Sequence, residues 1–279
     1  MSKKVPGGRG YTISPPVPDR SLHTTTTAVN LRDHTPARVA LASTGVSIAT
    51  RHTLEFSLAH AQARDAVHAA LALPSLLTAL QARGLPAIHV RSAARDRIEY
   101  LRRPDLGRTL APASATLLAH GTSNLEPSST SSLEPRTSQL TIILADGLSA
   151  LATERHALPV LDALLPLLDP TWHLTPIVIA EQARVALADQ IGQALHADAT
   201  VILIGERPGL SSPDSLGAYI TWSPRPGRTD AERNCVSNIR TEGLNYATAA
   251  ARIARTLAEA RRLGLTGVAL RESGISLPP

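Results

Sequence analysis

LTIILADG (residues 140–147) is the stretch whose reading decides the fold. Leu140 to Ala145 is a β-prone run with no alternation of apolar and polar side chains, and it passes straight into Asp146-Gly147. LTPIVIA (174–180) and ATVILIG (199–205) repeat the pattern. A strand with one wet face would alternate; a strand apolar throughout is covered on both faces. Ala150 to Leu168 and Arg184 to Leu195, lying between these runs, carry helical periodicity. Pro159 is tolerated early in the first of these helices, while Pro166 kinks or ends it. Strands alternating with helices imply a parallel sheet with helices on either side. The expected fold class is α/β, with a doubly wound, mostly parallel, Rossmann-like sheet in residues 139–279.

Working outward, Leu216 to Trp222 reads as a fourth strand, Tyr246 to Leu263 as a long helix and Gly267 to Leu270 as a last strand. Upstream, GTSNLEPSSTSSLEPRTS (121–138) mixes Ser, Thr and Pro without periodicity and reads as a linker. Residues 29–120 form a mainly helical N-terminal domain. Helical spacing runs from Thr53 to Leu73, Pro74 opens a second helix that stops at Gly84, and a third covers Asp96 to Leu101. Ala87 to Val90 is short and strand-like. Residues 1–28, rich in Pro, Gly, Ser and Thr, read as a flexible tail.

Composition removes several classes of function. A net charge of +5 is compatible with nucleic acid, but the arginines are scattered. One Phe, four Tyr and two Trp offer little surface for base stacking, so no nucleic-acid partner is expected. The single cysteine, Cys235, cannot form an internal disulfide and suits a reducing cytosol. The opening residues MSKKVPGGRGYTISPPVPDR hold no secretory apolar segment, and no run is long enough to cross a bilayer. The expectation is a soluble cytoplasmic protein without a membrane partner.

Open α/β sheets bind ligands beyond the carboxyl ends of their strands. Three acids fall there: Asp146, Glu181 and Glu206. Together they suit a ligand rich in N–H donors, and each could equally cap the next element. No P-loop, G-x-G-x-x-G or G-x-S-x-G motif occurs. Ser149 in Asp146-Gly147-Leu148-Ser149 reads as a helix cap. His52, His60 and His68 drift around a helix, and no pair has metal-binding spacing. Arginines near Cys235 could activate its thiol, although no His and Asn arrangement accompanies it. RNCVSNIR (233–240) looks like a polar recognition loop.

Several motifs resemble one family. Glu206-Arg207-Pro208-Gly209-Leu210, Asp214-Ser215-Leu216-Gly217-Ala218-Tyr219 and Arg233-Asn234-Cys235-Val236-Ser237-Asn238-Ile239-Arg240 are similar to the small subunit of ethanolamine ammonia-lyase. So are Asp146 to Ser149, Arg184-Val185, Asp189-Gln190-Ile191-Gly192, Thr35 to Val39 and Tyr100 to Arg108. The resemblance spans about residues 30 to 270. Leu41 to Gly45 and Ala59-His60 depart from the family's pattern.

The resemblance implies a non-catalytic subunit of an adenosylcobalamin-dependent lyase that converts ethanolamine to acetaldehyde and ammonia by radical chemistry. Its partner is a TIM-barrel large subunit, and several pairs form a hetero-oligomer, often inside a bacterial microcompartment. Matched positions imply Val185, Glu206 and Cys235 as cofactor contacts, with no catalytic residue and no metal ligand in this chain. The absence of D-x-H-x-x-G agrees with the family's base-on cobalamin. Two other readings stand beside this one: an independent α/β module for a nucleotide-like ligand, and a cysteine hydrolase.

Overall fold

Leu140, Ile142, Ile143 and Leu144 have no exposed surface, because the strand they form lies inside a sheet roofed on both sides. The computed structural model describes residues 31, 34–35, 37–121 and 138–272. The expected tail, 1–28, and linker residues 122–137 lie outside the described residues. By compactness the chain divides into residues 1–42 and 43–279. In the first unit the Ala37 N–H donates to the Thr35 hydroxyl at 3.1 Å.

The second unit opens with a hairpin, β1 (Ser43–Thr44) and β2 (Ser47–Ile48), then α1 (Thr50–His68) and α2 (Leu73–Gln81). Next come β3 (Ala87–Arg91), α3 (Arg97–Arg102) and α4 (Pro112–Gly121). β4 (Ser138–Ala145), α5 (Ala150–Leu164), β5 (Trp172–Leu174), β6 (Ile177–Glu181), α6 (Leu187–Ala194) and β7 (Ala199–Gly205) alternate. β8 (Leu216–Trp222), β9 (Asn234–Ile239), α7 (Tyr246–Leu263) and α8 (Val268–Glu272) complete the unit. The main sheet runs β3-β6-β4-β7-β8-β9, with β5 beside the start of β4. The pairs from β3 to β7 are parallel; β8 and β9 are antiparallel. The protein is thus mixed α/β with a mostly parallel sheet.

Alternate side chains of the strands feed two cores. Leu140, Ile142 and Leu144 of β4 pack with Leu161 and Leu164 of α5 and with Ile253 and Leu257 of α7. Ile143 and Ala145 pack on the other side with Leu187 and Ile191 of α6 and with Leu118. Each fully buried Leu or Ile contributes about 1.5–3 kcal/mol relative to exposure. Capping residues set the helix ends. Ser149 accepts from the Ala152 N–H at 3.3 Å to start α5, and Asn245 from the Thr248 N–H at 2.8 Å to start α7. Left-handed Gly264 ends α7.

Several sequence expectations change. The strand expected over Leu174–Ala180 is broken at Thr175-Pro176. The Thr175 N–H donates to Leu140 (3.1 Å), and the Ile177 N–H to Pro86 (2.8 Å), which brings β3 into the sheet. The sheet therefore takes an edge strand from residues assigned to a separate N-terminal domain, and 43–121 shares one compact unit with 138–272. Gly267–Leu270 is not a strand: its apolar residues lie in α8, since a short run cannot distinguish the two periods. RNCVSNIR is not a loop: β9 occupies Asn234–Ile239, burying Asn234, Val236 and Ile239. Its buried polar groups are satisfied from afar. Asn234 exchanges hydrogen bonds with both main-chain groups of Gly267 (2.7 and 3.3 Å), and Arg233 forks onto Asp189 at 2.7 Å twice.

Candidate functional site

The candidate site grows from the turn after β4. A side chain added to Gly205 would begin 2.0 Å from the Ser149 carbonyl, and Gly147 has φ +55. Bare backbone at Gly147 and Gly205 lets the Leu148 N–H reach the Gly205 carbonyl at 2.9 Å. The end of β7 is thereby fastened to the start of α5.

Asp146, 3% exposed, does not cap α5. Its carboxylate accepts the N–H groups of Gln182 (2.8 Å) and Ala183 (3.0 Å), with Arg97 Nη1 at 3.4 Å. Burial raises its pKa to about 6, against the lowering pull of those N–H donors and Arg97. Gln182 sits at φ +56, so Asp146 clamps a left-handed turn that delivers Arg184 and Val185. Tyr100, fully buried, donates from its hydroxyl to the Ala183 carbonyl at 2.9 Å, and the Arg184 guanidinium stacks 4.4 Å over its ring. Burial also pushes the Tyr100 hydroxyl well above its ordinary range.

Beyond this turn lies a cavity of about 220 Å³ lined by Tyr100, Arg184, Val185, Glu206, Arg207 and Tyr219, among others. It stands over the carboxyl end of β4, between the turn that leaves β6 and the segment that leaves β7. Of the three acids expected at this edge, only Glu206 borders it. Asp146 is consumed by backbone donors. Glu181 is paired with His89 of β3 at 2.8 Å and with Arg91 at 3.7 Å. The cavity is smaller than the roughly 300–1,000 Å³ that encloses a drug-sized ligand. It can take the edge of a large molecule and leaves the remainder to another surface.

Val185 and Glu206, expected from the sequence as cofactor contacts, meet on this cavity. Cys235 does not line it: the residue is exposed on β9, opposite Tyr219 of β8. Burial, and then the Cys235 thiol beside it, push the Tyr219 hydroxyl upward. Cys235 thus stands beside Tyr219, on the same face of the sheet. Sequence reasoning missed Arg184 and Tyr219 as lining residues; both lie inside the family-like motifs, and Arg184 adjoins Val185. Among the described residues no cluster of three His, Cys, Asp or Glu side chains could hold a metal ion. No helix among them is long and apolar enough to cross a membrane.

The lining combines apolar surface with hydrogen-bond acceptors and donors. Val185 and Ile204 offer apolar contact, Glu206 an acceptor, and Arg184 and Arg207 donors.

Residues 26–271 match a family model described as ethanolamine ammonia-lyase light chain. A protein of Azotobacter vinelandii named ethanolamine ammonia-lyase small subunit is 52% identical over 260 residues, covering 91% of each chain. One of Bradyrhizobium diazoefficiens with the same name is 51% identical, over 90% of this chain and 92% of its own. One of Pseudomonas aeruginosa, again with that name, is 51% identical over 87% of this chain and 86% of its own.

Proposed function

This chain belongs to the ethanolamine ammonia-lyase light-chain family, and from that premise we propose that it is the small subunit of an adenosylcobalamin-dependent ethanolamine ammonia-lyase. It acts with a large subunit that holds ethanolamine, and the two assemble as a hetero-oligomer. The sheet serves as a doubly wound, Rossmann-like platform whose carboxyl edge covers the corrin rim at the subunit interface. The reading carries a cytoplasmic location, within a microcompartment where the host builds one.

The observation that carries it is the meeting of Val185 and Glu206 on one cavity at the carboxyl edge of the parallel strands. When bound, adenosylcobalamin would supply the radical chemistry that deaminates ethanolamine. This chain's residues bind and shelter. Val185 gives apolar surface, Glu206 accepts from carboxamide N–H groups, and Tyr219, with Cys235 beside it, closes the wall. The clamp by Asp146 keeps Val185 and Arg184 at the cavity.

Co-expression with the large subunit tests the reading. Ethanolamine deamination should require both chains and adenosylcobalamin. Glu206→Ala should weaken cobalamin binding by roughly 1–3 kcal/mol, through amide donors left unpaired. Activity from this chain alone, without cobalamin, would refute the assignment. Cys235→Ser should keep most of the assembled activity, because the thiol lies outside the cavity lining.

A further inference from the structure

The two oxygens of Glu206 have different surroundings. Oε2 accepts from the Ser215 hydroxyl and, at 3.3 Å, from the main-chain N–H of Asn238. Among the described residues no hydrogen bond ends on Oε1. That oxygen lies 2.9 Å from the point where a side chain on Gly217 would begin, so the glycine leaves room for it.

The backbone is built for this arrangement. Leu216 pairs with Ile239 and Ala218 with Val236, so β9 carries an extra residue across an irregularity in the ladder. Asn238 lies in that bulge at φ +58. Its N–H is directed to Glu206. Bulges are a common means of re-aiming a group beside a site, and a left-handed non-glycine residue costs of order 1–3 kcal/mol unless its surroundings hold it.

We infer that Ser215 and the Asn238 bulge are positioning elements that occupy one oxygen of Glu206 within the fold and hold the other for a neutral N–H donor, a primary carboxamide of the ligand. This rests on the reading of the cavity as the cofactor's rim site. The contact with Glu206 selects the amide. Arg184 and Arg207 line the same cavity and disfavour a cation, while a carboxylate set against the Glu206 oxygen would meet like charge and offer no N–H. A carboxamide offers N–H to the acid and C=O to an arginine.

The test uses the assembled two-subunit complex and cyanocobalamin, with affinity read by calorimetry. Ser215→Ala should raise Kd about tenfold, the loss expected for a hydrogen bond to a charged group. Ser215→Thr should restore it. In a Glu206→Ala background Ser215→Ala should add nothing, a pattern that a merely structural serine would not produce. A cyanocobalamin derivative with the contacted amide converted to carboxylate, found by comparing the corrin-edge monocarboxylates, should bind less tightly than the parent, and Glu206→Gln should remove most of that difference. If Glu206→Ala weakens binding while Ser215→Ala does not, the positioning role is overturned and the cavity assignment stands. If Glu206→Ala binds like the parent, the cavity assignment itself is lost.

Discussion

Replacing Arg233 by methionine should be among the most damaging single changes in the sheet. Its side chain and that of Asp189 are each 2% exposed. Arg233 Nη1 and Nη2 donate to the two carboxylate oxygens at 2.7 Å each, and further to the Thr221 hydroxyl (3.1 Å) and the Arg228 carbonyl (3.0 Å). These bonds tie α6 to the head of β9. Burial already raises the pKa of Asp189, with the Arg233 guanidinium pulling against it. Without Arg233 the carboxyl, the Thr221 oxygen and the Arg228 carbonyl lose their donor together. Breaking a buried pair from one side costs about 3–5 kcal/mol, whereas replacing both partners by apolar groups of similar size is often neutral or better. In a chain of this size each kcal/mol moves Tm by about 2–4 °C. Urea unfolding should therefore show Arg233→Met with a lower midpoint and an unchanged slope. Asp189→Leu combined with Arg233→Met should recover most of the loss. A single variant within about 1 kcal/mol of the parent, or a double variant no better than the single one, would refute the argument.

Three further outcomes rest on the same geometry. Asp146 has a folded pKa of about 6 against an ordinary 3.8, so its protonated form favours folding. That contribution is full below about pH 4 and is lost as pH rises through 6. Relative to Asp146→Asn, the parent should lose on the order of 3 kcal/mol between those limits, read by urea midpoints across pH; a parallel pair of curves would contradict the assignment. Gly205→Ala places a methyl 2.0 Å from the Ser149 carbonyl, so it should lower Tm sharply, and a melting curve like the parent's would disprove the close approach. Ser149→Ala removes both the α5 cap and a 2.9 Å bond to the Pro213 carbonyl, and should cost about 1–2 kcal/mol in calorimetric unfolding.

The site was legible in part. Asp146, Glu181 and Glu206 were placed at strand carboxyl ends because β4, β6 and β7 announce themselves through apolar runs. Nothing local told the three acids apart. Asp146 is captured by the Gln182 and Ala183 N–H groups and Glu181 by His89 and Arg91, partners 36 or more residues away in sequence; Glu206 borders the cavity. Cys235 was chosen inside a matched motif, and only the β8–β9 register shows it beside Tyr219, which itself lines the cavity.

By itself the sequence determined the α/β class, the parallel centre of the sheet, the Ser149 cap and the family. Those properties come from local periodicity, capping chemistry and ordered motifs, which every short window of the chain carries. Only the tertiary structure decided that β3 joins the sheet, that Asn234 to Ile239 is a strand and that Gly267 to Leu270 is not one. A polar strand is stable only when remote groups satisfy it, as Asp189 satisfies Arg233 and Gly267 satisfies Asn234, and no local pattern encodes which distant residues will meet.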